Sequence, residues 1–95
     1  MQIRLENFRG NPVNFMRQAG YAFDRNEDAE MSFVRRISGD YPRLHAYSHL
    51  EDTTLVINLH LDQKRPTYQA GRAHSGEYDS PLVMAEGERI KSLHR

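Results

Sequence analysis

His60-Leu61-Asp62 sets an imidazole and a carboxylate two positions apart in the chain. On an extended strand that spacing puts both on one face, roughly 6.5–7 Å apart along the backbone. Farther on, His74-Ser75-Gly76-Glu77 offers a second imidazole and a second carboxylate in a glycine-softened turn. Two histidines with one or two carboxylates form a ligand set for zinc, manganese or iron. His60, Asp62, His74 and Glu77 are therefore the candidate metal ligands, and a metal-assisted hydrolase or nuclease is the activity they would serve. Their spacing matches no dedicated metal motif, and residues of these types at such positions are more often solvated edge and loop residues than ligands. No cofactor is expected by default; a divalent metal, zinc or manganese, is what this cluster would hold.

A second chemistry is phosphate recognition. Arg36, Arg43, His45 and His60, with Lys64 and Arg65 just beyond, gather hydrogen-bond donors that could hold phosphate, and Tyr47 adds a ring on which a base could stack. These residues form the candidate nucleic-acid surface, and a small RNA-binding or RNA-associated protein is the first functional reading. Asp62 and the charged stretch from Asp24 to Ala29 would blunt the field. His45 or His60 could act as acid or base in RNA cleavage, with Arg36 or Arg43 steadying the phosphorane. Ser32, Ser48, Ser75 and Ser80 lie in no nucleophile motif. A third reading is a protein-interaction module with no enzymatic activity, working through a sheet edge and a protein partner.

Composition narrows the field. With 95 residues the chain makes one small α+β domain spanning 1–95, and one modest core is all it can build. The absence of cysteine excludes a disulfide scaffold, a thiolate zinc site and a cysteine nucleophile. Thirteen Lys and Arg balance thirteen Asp and Glu, which weighs against a strongly basic nucleic-acid binder and a polybasic membrane module. Mean hydropathy is −0.80, yet the apolar residues are grouped and periodic, as folding requires. No apolar run approaches the roughly 20 residues of a membrane span, so no membrane partner is expected. Met1 to Glu6 lacks the apolar core of a signal peptide, and a cytoplasmic location is the expectation.

The elements that must position these side chains are legible in outline. Residues 1–10 read as an extended lead-in, with Ile3, Leu5 and Phe8 facing inward. Asn11-Pro12 opens a short helix, Val13, Met16 and Ala19 give it a face, and Gly20 closes it. Tyr21 to Phe23 read as extended and Asp24 to Ala29 as a charged loop. Strands are expected over 30–38, 42–50 and 53–63, the last with Leu55, Ile57, Leu59 and Leu61 on one face. Residues 64–79 read as a long polar loop, which at that length is functional or mobile. Ser80-Pro81 opens a second helix carrying Leu82, Val83, Ile90 and Leu93, weakened by Gly87. The expected architecture is helix, three-stranded antiparallel meander, helix, with both helices on one sheet face.

Two-residue turns at both hairpins would pair Ser38 with Tyr41 and Leu50 with Thr53. The core face then aligns Arg35, Leu44 and Leu59; Phe33, Ala46 and Ile57; and Met31, Ser48 and Leu55. The opposite face aligns Arg36, Arg43 and His60; Val34, His45 and Asn58; and Ser32, Tyr47 and Val56, with Asp62 and His49 at its ends. One face is nearly dry and the other is a row of Arg, His, Asn and Tyr.

The expected element order resembles the double-stranded-RNA-binding-domain fold, and within it the HicA-like small toxin ribonucleases of bacterial toxin–antitoxin pairs. The residues that carry the resemblance are Met16-Arg17-Gln18-Ala19-Gly20-Tyr21 at the close of the first helix and Met31-Ser32-Phe33-Val34-Arg35 entering the sheet. It implies an RNA-associated protein of about half-chain likeness. Family members carry a Gly-Ser-His type motif whose histidine is catalytic; here Ser32-Phe33 has no histidine, so ribonuclease activity is not implied. His45 would have to substitute from the neighbouring strand. The stretches His60 to Lys64 and His74 to Asp79 also look like segments of small uncharacterised bacterial proteins.

Overall fold

A computed structural model describes residues 1–63, 76–77 and 79–94, the pair 76–77 by its backbone. The elements are β1 (Gln2–Leu5), α1 (Pro12–Gln18), β2 (Ala22–Glu27), β3 (Glu30–Arg36), β4 (Arg43–Glu51), β5 (Thr54–Asp62), β6 (Gly76–Glu77) and α2 (Pro81–Leu93). One antiparallel sheet has the order β1-β5-β4-β3-β2, and the two-residue β6 pairs with β5 beyond β1. This corrects the expected helix, three-stranded meander, helix order: five strands form the sheet, because two segments beside the meander also pair.

The first addition is β1. The expected lead-in docks on β5, Ile3 opposite Ile57 and Leu5 opposite Leu55, so that both side chains are buried. The second is β2, Ala22 to Glu27, which joins the end of the stretch expected to be extended to the first four residues of the expected charged loop, so that most of that loop is strand. It is exposed throughout, and its pairing with β3 is interrupted by a bulge between Phe23 and Arg25. A charged, bulged strand is a common way to guard a sheet edge against pairing with another chain.

Both helices begin as their sequences dictate. The Asn11 side chain accepts from the Val13 and Asn14 amides at 2.8 and 3.2 Å, and Ser80 Oγ accepts from the Val83 amide at 3.3 Å; each cap precedes a proline that needs no partner. Met16 and Ala19 from α1 and Val83 and Ile90 from α2 join Ile3, Leu5, Phe33, Leu44, Ala46, Leu55, Ile57, Leu59 and Leu61 in one core. The helices thus lie on the face that carries the odd-numbered residues of β5. Gly87 is buried where α2 meets β1, and a methyl group there would run into the Met1 side chain. Those Met1 atoms are the far end of a flexible side chain and can move aside, and the next neighbour, Ile3 Cδ1, is at ordinary contact distance, 3.5 Å.

At one end of this layer, α2 is tied to the sheet by a polar cluster. Tyr21 donates to Glu86 Oε2 at 2.7 Å, and Arg89 donates to both Glu86 oxygens and to the Ala19 carbonyl. Arg35 stands 3.6 Å from Glu86. Burial would raise the Glu86 carboxyl, but the hydrogen bonds from Arg89 and Tyr21 outweigh it and hold the group below its ordinary value. Among the described residues no helix is long and apolar enough to cross a membrane.

The β3–β4 ladder has the expected register, Met31 opposite Ser48 through Arg36 opposite Arg43. The β4–β5 ladder does not. Glu51 pairs with Thr54 and the turn is Asp52-Thr53, so that Leu44 faces Leu61 and Ala46 faces Leu59. Asp52 takes φ +54° as the first central residue of the turn, a conformation that aspartate tolerates. The whole ladder is displaced by two residues from the expected pairing. Because side chains alternate with period two, the displacement leaves every residue on its face and changes only its neighbours.

Candidate metal centre

On the face away from the helices, the shifted ladder sets His45 opposite His60 and Arg43 opposite Asp62. The expected register would have given His60 to Arg43 and His45 to Asn58. Four polar side chains now share two successive same-face rungs of one hairpin, the Leu44–Leu61 rung between them facing the core.

Asp62 is the hub. Its Oδ2 accepts from His45 Nδ1 at 3.1 Å, and its Oδ1 lies 3.0 Å from His60 Nε2. Burial opposes the ionised form, but the hydrogen bonds from His45 and His60 and the charge they supply hold the Asp62 carboxyl far below the usual carboxylate range. An ionised carboxylate only accepts, so the ring nitrogens facing it carry the protons in the structure as it stands. Arg43 Nε stands 3.6 Å from Asp62 Oδ2, and its guanidinium lies over the Tyr41 ring at 4.9 Å. Among the described residues that Nε is buried without a hydrogen-bond partner.

The second nitrogen of His45 has a partner of its own. His45 Nε2 lies 2.7 Å from Ser32 Oγ, and Ser32 Oγ lies 3.4 Å from Asp24 Oδ2 on β2. With His45 neutral and protonated at Nδ1, the Ser32 hydroxyl donates to Nε2. Should Nδ1 give up its proton, as binding a cation there requires, Nε2 carries it, Ser32 accepts it and turns its own hydrogen to Asp24. The hydroxyl suits either tautomer.

The chain Ser32–His45–Asp62 has the atom order of a serine-hydrolase triad. Ser32, however, has 0% of its surface exposed. A nucleophile must reach its substrate, and this hydroxyl is sealed between β2 and β4. Its place is to orient the imidazole.

One ligand atom from each of His45, His60 and Asp62 fits within 4.8 Å of the others. Ligands around a tetrahedral zinc stand about 3.3 Å apart, so the group needs only a modest closure to hold an ion. The orientation of His45 through its outer nitrogen is the arrangement that metal-binding histidines use. The side chains of His60 and Asp62 remain 13% and 21% exposed, so the site opens on solvent.

Of the other sequence candidates, Tyr47 stacks on His45 with centroids 4.4 Å apart and lies 5.9 Å from the His60 ring. Burial, then the nearby Glu27 and Asp62 carboxylates, raise its hydroxyl above the ordinary value. Arg36 sits beside Arg43 on the ladder and pairs with Asp40 at 3.6 Å. The backbone of Gly76 pairs with Asp62 and that of Glu77 with Leu61. Lys64, Arg65 and His74 lie outside the described residues, as does most of the expected 64–79 loop.

The sequence reading placed His45 among phosphate ligands and gave Ser32 and Asp24 no role. Ser32 and His45 were already neighbours on the polar face in the expected β3–β4 register; the β4–β5 register was the missing signal for the meeting of His45, His60 and Asp62, and the β2–β3 pairing for Asp24. Comparison of this chain with known protein families, with curated proteins and with solved structures found no match.

Proposed function

We propose that this protein binds one divalent transition metal through His45, His60 and Asp62 and uses it for hydrolysis. The observation that carries the proposal is the convergence of three ligand atoms within 4.8 Å on one hairpin face, His45 buried and His60 and Asp62 partly exposed. Three protein ligands leave coordination positions for water and substrate, the pattern of catalytic rather than structural zinc sites. A metal so held would polarise a substrate oxygen and lower the pKa of a bound water. The two-histidine, one-carboxylate set also suits manganese or iron.

Calorimetric titration with zinc and with manganese tests the reading. One ion per chain is expected, with the signal lost in His60→Ala and in His45→Ala. A flat titration of the wild-type protein ends it.

RNA binding on the same face is the second reading, supported by the stacked rings of His45, Tyr47 and His60. It ranks below the metal reading because Asp62 engages Arg43, His45 and His60 together, lowering the positive charge available to a phosphate backbone. A short RNA duplex that shifts the amides around Arg43 in the metal-free protein would reverse the ranking. The protein-interaction reading rests on the exposed sheet edges alone, and β2 is a guarded one.

A further inference from the structure

Resting on the metal reading, we infer that the site takes the terminal phosphate of a small phosphomonoester, with Arg43 as the residue that holds the phosphate against the metal. Arg43 occupies the next same-face rung after the two histidines and directly faces the third ligand. Its guanidinium is held over Tyr41, which fixes its direction at little entropic cost. The Nε nearest the site is buried and among the described residues lacks a hydrogen-bond acceptor. The Asp62 oxygen, 3.6 Å away, is too far to serve as one. That nitrogen is sealed from solvent, so a phosphate oxygen would be taken by the part of the guanidinium that the 24% exposure of the Arg43 side chain leaves open.

Charge points the same way. A divalent cation, the Asp62 carboxylate and the Arg43 guanidinium together leave two positive charges. That matches the dianion of a phosphomonoester better than the monoanion of a diester or a neutral carbonyl substrate. Among the described residues the other charges nearby are Arg36, paired with Asp40, Arg25, paired with Asp24, and Glu27, whose carboxylate acts on Tyr47.

The test uses the full chain loaded with cobalt(II), whose visible spectrum reports ligand exchange, and the probes phenyl phosphate and dimethyl phosphate. Phenyl phosphate is expected to change the spectrum saturably, and dimethyl phosphate to bind at least about tenfold more weakly. In Arg43→Gln, affinity for phenyl phosphate is expected to fall about 10–100-fold, the loss of one charge-assisted hydrogen-bonding group, while cobalt affinity stays within about threefold. Arg43→Lys, which keeps the charge beside Asp62, is expected to fall between the two and guards against a folding defect in the glutamine variant. Cobalt binding without any response to phenyl phosphate, equal binding of the two probes, or unchanged phenyl phosphate affinity in both Arg43 variants would overturn this inference and leave the metal reading standing. Failure to bind cobalt would remove both.

Discussion

His45 and His60 face each other across the β4–β5 ladder with ring centroids 5.0 Å apart, and one carboxylate, Asp62, receives both. Two imidazoles this close repel when both are charged, so their ionised neighbour is what makes the pair tolerable. The same electron-rich cluster is what a cation would find attractive.

Asp62→Asn keeps the shape of the hub and removes its charge. It is expected to abolish metal binding in the calorimeter. It should also destabilise the fold by about 1–3 kcal/mol in urea denaturation, because the histidines lose a charged acceptor.

Ser32→Ala distinguishes an orienting hydroxyl from a nucleophile. Metal affinity is expected to fall about 10–100-fold, the usual cost of removing the group that fixes a ligating histidine. An unchanged affinity would mean that Ser32 does not position His45 for a metal.

His49 gives a pH signature away from the site. Its Nδ1 and Nε2 face Glu30 and Glu51 at 3.0 and 2.9 Å, so both ring nitrogens donate and the imidazolium is favoured. The hydrogen bond to Glu51, then that to Glu30, raise the His49 pKa above 6.5, while His49 lowers that of Glu51 below 4.5. The histidine's contribution is complete below pH 6.5 and fades as pH rises through the folded value. The glutamate's is complete above pH 4.5 and fades as pH falls through its own. The melting temperature of wild type minus that of His49→Gln should therefore be largest between pH 4.5 and 6.5, and a difference that does not vary with pH would contradict the arrangement.

Tyr21→Phe removes the buried hydroxyl that donates to Glu86 at 2.7 Å while Arg89 still pairs with the carboxylate. A loss of about 0.5–1.5 kcal/mol in urea denaturation is expected, the usual worth of one such bond.

The two faces of the sheet were readable because a strand's alternation survives any even shift in pairing. Leu55, Ile57, Leu59 and Leu61 had to share the helix-covered face whatever their partners, and Arg43, His45 and His60 the opposite one, although His45 is buried there. The site was not readable, because it depends on which partners meet. Glu51-Asp52 and Asp52-Thr53 are both acceptable turn dipeptides, and only the left-handed backbone at Asp52 separates them. The edge strands were hidden for different reasons. In β1 the apolar alternation is confined to Ile3 and Leu5, and β2, from Ala22 to Glu27, is a polar strand whose pairing is decided by β3 rather than by its own side chains.

The Asp52-Thr53 turn also has a kinetic meaning. Arg43, His45, His60 and Asp62 all ride on the hairpin it closes, so the site is assembled by local contacts and needs neither helix to bring its parts together. Such a hairpin closes on the microsecond scale once nucleated and opens as a cooperative unit. Its four groups should therefore appear and vanish together in hydrogen exchange. A bound ion would act as a clasp across the two strands, slowing exchange at amides from Arg43 to Asp62 far more than in either helix.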